Sequence, residues 1–206
     1  GGITSITSVS LDDAGAVALR IYRDGDEWTR HLFVAAAGIG GIVYSFPDVL
    51  ALMSDAQIGP GGVVAFEIGQ TSGQNGPWRW DPVTQTAVRV STQPLGAQSW
   101  EFPQGNAAGQ FAARVGFGSG KAWASYQGAV ATVHATEAAI DPASPFSFLF
   151  TPAFNGAREI AGKVRLGVAN QVGESQPDRI VAIGTDGVPR ILARDRDDDP
   201  LSPYYA

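Results

Sequence analysis

The feature that most constrains this chain is an internal repeat of one short residue pattern. Each copy begins with an Asn, Asp or Gly. A second turn residue, glycine in three of the four copies, stands three positions later, and an alanine stands six positions later. A period of roughly 20–50 residues is typical of architectures in which each copy folds as one supersecondary unit. We therefore expect four versions of one unit. The aligned alanines, spaced by 47, 47 and 49 residues, are Ala18, Ala65, Ala112 and Ala161.

Each copy of the pattern predicts a turn that leads into a strand. An Asn or Asp side chain can accept a hydrogen bond from the backbone two residues on, and glycine supplies the positive φ that closes the turn. Apolar segments rich in β-forming residues follow, at 17–21, 63–68, 111–115 and 160–166. The residues expected to build these turns are Asp12, Gly15, Gly62, Asn106, Gly109 and Asn155.

A second pair of apolar segments follows in each copy, and breakers such as Asp81-Pro82 separate its two members. Each unit thus supplies four short strands that pair as local hairpins. The approximate units are 1–47, 48–93, 94–140 and 141–195, which together form a single repeat domain over 1–195. Residues 196–206 form an acidic tail that contains proline.

The composition favours an all-β chain, because 26 glycines and 13 prolines among 206 residues are too many for a helical bundle. Four-stranded sheets at this period are typical of β-propeller blades. The sequence therefore predicts a β-propeller of four four-stranded antiparallel blades. A sandwich built from the same strands is the alternative. The four blades would either close into a ring or form part of a larger one completed by other residues, because open sheet edges favour closure or association.

The pattern Asn/Asp-x-x-Gly-x-x-Ala-Phe/Leu resembles the tandem repeat of bacterial surface-anchored proteins known for their NxxGxxAF motif. The resemblance covers nearly the whole chain as four units. It implies a β-propeller-like array, export and a place at the bacterial cell surface, and it implies no known activity. The fourth copy departs from the motif, because Arg158 occupies the glycine position and Gly162 the aromatic position. This copy is expected to be an end unit or one with a special role.

Charge and cysteine content exclude several classes of function. The net charge of −6 and the lack of a Lys/Arg cluster argue against nucleic acid as a partner. The absence of cysteine excludes disulfides and thiolate chemistry. No apolar run is long enough for a helical membrane span. Gly1-Gly2-Ile3 is not a signal peptide, so we expect an export signal to have been removed or to lie outside this chain.

A few residues are candidates for a binding site. Trp28, Arg79 and Tyr126 offer flat or stacking surfaces of the kind on which glycans and peptides dock. Calcium is the one cofactor considered, since it takes several oxygen ligands from acidic loops. For each acidic group, a solvated turn is the alternative interpretation. The candidate calcium ligands are Asp24, Asp26, Asp197 and Asp199.

Two functions from different classes follow. The first is a non-catalytic extracellular binding or scaffold module that recognises a glycan, a peptide or a partner subunit, either a second copy or further blades. The alternative is a hydrolase or lyase that acts on polysaccharide. That chemistry requires two facing carboxyl groups, one of them with a raised pKa.

Overall fold

The computed structural model describes nine stretches of the chain. They are residues 2–46, 52–54, 56–69, 75–90, 94–106, 108, 110–128, 130–168 and 176–204. Within these stretches the chain forms four antiparallel sheets, each drawn from one continuous part of the sequence.

The first two sheets occupy the N-terminal half. The first sheet runs in the order β1-β2-β3-β4. In the second sheet β5 and β6 both pair with β7, so together they occupy the place of one first strand, and β8 and β9 follow. The strands are β1 (Ile3–Leu11), β2 (Val17–Arg23), β3 (Asp26–Ala36), β4 (Ile39–Phe46), β5 (Leu52–Met53), β6 (Gln57–Ile58), β7 (Val64–Gly69), β8 (Gly76–Asp81) and β9 (Thr86–Arg89).

The other two sheets occupy the C-terminal half, in the orders β10-β11-β12-β13 and β14-β15-β16-β17. Short 3-10 turns at Pro60–Gly62 and Pro94–Gly96 are the helical elements of the described residues. The strands are β10 (Ser99–Gly105), β11 (Phe111–Gly116), β12 (Lys121–Gln127), β13 (Val130–Thr136), β14 (Phe146–Phe154), β15 (Ile160–Leu166), β16 (Asp178–Ile183) and β17 (Pro189–Arg194).

The prediction of an all-β chain built from four four-stranded antiparallel sheets is confirmed, and the sheets are consistent with blade-like units. Closure of the four sheets into a propeller ring is not shown. Among the described residues, no helix has the length and apolar character needed to cross a membrane.

The core consists of apolar clusters between consecutive sheets. One cluster joins Ala18 of the first sheet to Val64 and Phe66 of the second. Another joins Ala65 of the second sheet to the third, and another joins Ala112 of the third sheet to the fourth. Each repeat alanine therefore points toward the following sheet, and its strand neighbours point toward the preceding one, because side chains alternate along a strand.

The four predicted turns share one backbone hydrogen bond, from the amide of the first turn residue to the carbonyl oxygen four positions on. In the first turn the amide of Asp12 donates to Ala16 O (2.9 Å) and that of Gly15 to Asp12 O (3.1 Å). Asp12 Oδ1 also accepts from the amides of Ala14 (3.0 Å) and Ala16 (2.7 Å). Asn106 and Asn155 accept in the same way from the residues two and four positions on. The Asx side chain thus fixes the entry into the second strand of its sheet.

The second turn keeps this backbone geometry without an Asx side chain. The amide of Gly59 donates to Val63 O (2.9 Å) and that of Gly62 to Gly59 O (3.0 Å), with Gly62 at a φ of +76°. A Cβ at residue 59 would lie 2.1 Å from the carbonyl oxygen of Gly105 in the third sheet. Glycine replaces Asn or Asp here because the neighbouring backbone leaves no room for a side chain.

The fourth turn also keeps the geometry, despite its departure from the motif. The amide of Asn155 donates to Glu159 O (3.2 Å) and that of Arg158 to Asn155 O (3.2 Å), with Arg158 at a φ of +65°. Gly162 is glycine for a packing reason, since a Cβ there would lie 2.9 Å from the indole of Trp123 in the third sheet. The predicted turn residue Gly109 lies outside the described residues.

Candidate functional site

One position in the repeat links each sheet to the next by a hydrogen bond. Eight residues after the start of each turn stands a charged side chain, which we call the bridging residue. Arg20 of the first sheet donates to the carbonyl oxygen of Met53 in the second. Glu67 of the second sheet accepts from the amide of Trp100 in the third (3.1 Å). The bridging residues of the four sheets are Arg20, Glu67, Arg114 and Lys163.

The third sheet repeats the link. Arg114 donates to the carbonyl oxygen of Leu149 in the fourth sheet (2.8 Å). The three main-chain partners are themselves equivalent, since Met53, Trp100 and Leu149 each lie six residues before the start of their turn. The same position in the first sheet is Ile6. At each internal interface, a bridging residue thus forms a hydrogen bond with the main chain of the following sheet. The main-chain partner always lies six residues before the turn.

Among the described residues, no sheet precedes the first one on its outward face. Ile6, Val9 and Leu11 of β1 pair with Ile21, Leu19 and Val17 of β2, so these six side chains share that face. We call them the first-sheet outer face. The three β1 side chains of this face are well exposed, Ile6 by 53%, Val9 by 68% and Leu11 by 65%, whereas Ile21 of β2 on the same face is 1% exposed. The equivalents of Ile6 in the other three sheets are each at most 1% exposed. These are Met53, Trp100 and Leu149.

In the part of the chain that the structure describes, no sheet follows the fourth on the face that bears Ala161. This fourth-sheet outer face carries Ala161, Lys163 and Arg165 of β15, with Ile180 and Ala182 opposite them on β16. Ile180 is 39% exposed. A pocket of about 350 Å³ opens there. Its lining residues are Lys163, Asp178, Arg179, Ile180, Ala193, Arg194, Asp195 and Tyr204.

An ion-pair network lines this pocket. The carboxylate of Asp178 forms ion pairs with Lys163 Nζ (2.6 Å) and Arg165 Nε (2.9 Å). Burial opposes ionisation of Asp178, but the hydrogen bonds from Arg165 and Lys163 outweigh burial and hold its pKa below the ordinary value. The acidic tail packs onto the same sheet, because Asp198 binds Arg179 (2.6 Å). The pocket therefore combines fixed charges with the apolar side chain of Ile180.

A second group of titratable residues lies between the second and third sheets. Burial raises the pKa of Glu67 to about 7, the amide of Trp100 opposes that rise, and the charge of Glu101 adds to it. Glu101 itself pairs with Lys121 and with Arg114, whose Nε lies 2.9 Å from Glu101 Oε2. Burial opposes ionisation of Glu101, but these two cations together lower its pKa. Two neighbouring carboxyl groups thus have pKa values shifted in opposite directions.

The residues predicted to bind a ligand lie on three different sheets. Trp28 belongs to β3, and its side chain lies outside the described residues. Arg79 is half-buried on β8, opposite Ala65. Tyr126 is 1% exposed, and its hydroxyl accepts a hydrogen bond from Trp100 Nε1 at 2.7 Å. The structure does not bring these three residues together.

The four predicted calcium ligands lie in two separate places, at the junction of β2 and β3 and in the C-terminal tail. Asp24 is exposed, and Asp26 Oδ2 lies 3.4 Å from His31 Nε2. Asp197 is exposed, and Asp199 Oδ1 accepts from the amide of Leu201 at 3.0 Å. In the part of the chain that the structure describes, no three His, Asp or Glu side chains form a group suited to a metal ion.

Sequence reasoning missed the bridging residues, although the sequence carries a signal for them. A charged residue stands at the same offset in all four copies, inside a strand that is otherwise mostly apolar. One such residue can be an exposed side chain on its own. Its recurrence in four copies indicates a structural contact that the repeat preserves.

Comparison with known proteins finds structural likeness at low sequence identity. No protein-family model and no curated protein matches the chain. The chain is similar to the solved structure of a puromycin-hydrolyzing peptidase from Mycobacterium tuberculosis, with a TM-score of 0.56 and 12% identity. The match covers 94% of this chain and 30% of that chain. At this identity the likeness concerns the fold alone, and the resemblance to the NxxGxxAF repeat proteins stays a prediction.

Proposed function

We propose that this chain is a non-catalytic binding or scaffold module that binds a protein partner through the outer faces of its first and fourth sheets. A single observation supports this most strongly. Every internal interface buries one face of each type, whereas the equivalent faces of the two end sheets leave apolar side chains exposed, namely Ile6, Val9 and Leu11 on the first sheet and Ile180 on the fourth. Export and a bacterial cell-surface location belong to this proposal through the resemblance to the NxxGxxAF repeat.

The energetics of the first-sheet outer face favour a bound partner. Full burial of one Val, Leu or Ile side chain contributes about 1.5–3 kcal/mol. Ile6, Val9 and Leu11 stand together on one strand and are each more than half exposed. A contiguous apolar strand face of this kind is typical of an interaction site rather than of scattered surface residues.

The fourth-sheet outer face adds chemical specificity. Its cations Lys163 and Arg165 are already held in place by Asp178, so little side-chain entropy is lost when a partner binds. The exposed Tyr204 at the pocket supplies a large contact surface with few rotatable bonds. A protein surface that offers apolar side chains and backbone carbonyls matches this face better than a glycan does.

Selection of binders against the immobilised chain tests the proposal. A phage-displayed random peptide library and a glycan array are the two probes. Selected peptides should lose binding to Val9→Asp or to Ile180→Asp. They should keep binding to Val130→Asp, because Val130 is similarly exposed (65%) but lies on the outermost strand of the third sheet. Peptides that bind all three variants equally, or binders found only on the glycan array, would refute the proposal.

The pair Glu67 and Glu101 favours the alternative, a polysaccharide hydrolase or lyase. A carboxyl group with a pKa of about 7 beside an ionised one resembles the acid–base pair that such enzymes use. Release of reducing ends or of unsaturated products from a polysaccharide panel would measure this activity. Glu67→Gln and Glu101→Gln should each abolish it. Product release that survives both substitutions would rule out this pair as the catalytic residues.

A further inference from the structure

We propose that the partner is a second copy of this chain, with the first sheet of each copy packed on the fourth sheet of the other. The two copies then form one ring of eight sheets. This inference rests on the proposed function and names its partner. Four observations support it: the direction of the internal interfaces, the exposure of the last repeat alanine, the bridging residues, and the condition for closing a ring.

The internal interfaces all have the same direction. Each sheet presents its alanine-bearing face to the following sheet and the opposite face to the preceding one. Such a head-to-tail contact joins two different surfaces, so it leaves one surface of each kind free at the two ends. The free surfaces are the first-sheet and fourth-sheet outer faces. They are complementary, because at each internal interface the alanine-bearing face of one sheet packs on the opposite face of the next.

The repeat alanines show how the two free faces would fit. Ala18, Ala65 and Ala112 are each 0% exposed, because apolar side chains of the following sheet pack against them. Ala161 is their equivalent in the fourth sheet and is only half-buried. The exposed side chains of Ile6 and Val9 on a second copy supply the apolar cover that this alanine lacks.

The bridging residues identify a specific contact across the new interface. In the first and third sheets an Arg side chain donates to the main-chain carbonyl oxygen six residues before the next turn. Lys163 is the bridging residue of the fourth sheet, and it is likewise a donor. The equivalent carbonyl on the first sheet of a second copy is that of Ile6. Lys163 Nζ, now 2.6 Å from Asp178, is 36% exposed on this face and can reach such an acceptor.

The number of copies follows from ring closure. A head-to-tail interface gives a closed ring if its rotation closes and a filament if it does not. Propellers typically have about four to eight blades. The exposure of Ile6, Val9 and Leu11 indicates that, among the described residues, the fourth sheet does not cover β1. Two copies give eight sheets, whereas three would give twelve and exceed the usual range.

Solution mass is the first test of the second copy. Light scattering on the full chain should give twice the chain mass of 21.5 kDa, with the dimer fraction falling on dilution. Val9→Asp should raise the dimer dissociation constant by at least about tenfold, since it places a charge in an apolar contact. Val130→Asp should leave the constant unchanged. A monomer at every concentration, or a ladder of larger species, would overturn the ring of two copies.

Disulfide trapping distinguishes a head-to-tail contact from any other dimer. The chain has no cysteine, so each introduced thiol is unique. A mixture of the Ile6→Cys chain and the Lys163→Cys chain should give a cross-linked heterodimer on mild oxidation, and neither chain alone should cross-link. Cross-linking of either chain with itself, or none in a mixture that light scattering shows to be dimeric, would overturn the proposal. If the chain is monomeric but peptides still select the two outer faces, the proposed function stands and only the second copy is lost.

Discussion

The two internal sheets and the two end sheets are built from the same repeat but meet different surroundings. Ala65 and Ala112 are fully buried, whereas Ala161 is only half-buried. Trp100 and Leu149 are buried, whereas the equivalent Ile6 is 53% exposed. A repeat unit cannot bury both of its faces alone, so its stability depends on its neighbours. The comparison shows where in the chain a substitution should matter and where it should not.

The largest effect is expected at the position six residues before each turn. Leu149→Ala leaves a cavity between the third and fourth sheets, and such changes typically destabilise a protein by about 2–5 kcal/mol. Ile6→Ala at the equivalent exposed position should cost less than about 1 kcal/mol in the dilute monomer. Urea denaturation of both variants at low concentration measures the difference. Equal losses would mean that the first-sheet outer face is covered within a single chain.

The next effect concerns the pH dependence that Glu67 gives to the interface between the second and third sheets. Its pKa is about 7 in the folded protein and near the ordinary 4.5 when unfolded. Between these pH values the folded state holds the extra proton, so the contribution of Glu67 to stability falls as pH rises from about 4.5 to 7 and is constant above. Glu67→Gln removes this loss and should raise the free energy of unfolding at pH 8 by about 2–3 kcal/mol.

Unfolding free energies measured from pH 4 to pH 8 check this sign. Glu159→Gln is the control, because the Glu159 side chain is 37% exposed and its pKa is lowered, chiefly by a hydrogen bond from Asn155. It should not raise stability at high pH. If Glu67→Gln parallels the wild type over the whole range, the carboxyl group of Glu67 is ionised in the folded protein at neutral pH.

The bridging residues give a third, smaller contrast. Arg114→Met removes the hydrogen bond to Leu149 O and one cation beside Glu101, and hydrogen bonds of charged groups contribute about 1.5–3 kcal/mol. Lys163→Met at the equivalent end position breaks a partly exposed ion pair and should cost less than about 1 kcal/mol in the monomer. Denaturation at low concentration compares the two. A larger loss for Lys163→Met would show that this residue supports the fourth sheet itself.

Much of the architecture followed from the sequence because turns and strand alternation are local. The Asx turns at Asp12, Asn106 and Asn155 depend on residues within four positions of each other. The reasons for Gly59 and Gly162 are not local, because the atoms that exclude a side chain belong to neighbouring sheets. The same holds for the raised pKa of Glu67. The candidate site depends on contacts between sheets. These contacts are determined by the packing of neighbouring sheets, which the local sequence does not specify.

The smallest predicted effects concern the glycine position of the turns, where the second and fourth copies differ. Gly62 has a φ of +76° and Arg158 a φ of +65°. Gly62→Val forces a β-branched residue into the left-handed region and should destabilise the protein by about 1–2 kcal/mol. Arg158→Gly relieves the same strain in the fourth turn, but the variant loses the hydrogen bond to Thr132 and gains freedom in the unfolded chain. Its net effect should stay within about 1 kcal/mol of zero. Thermal melting of both variants decides whether the turns are equivalent. A Gly62→Val variant that melts like the wild type would mean that the second turn does not need the left-handed conformation, and its equivalence to the other three would fail.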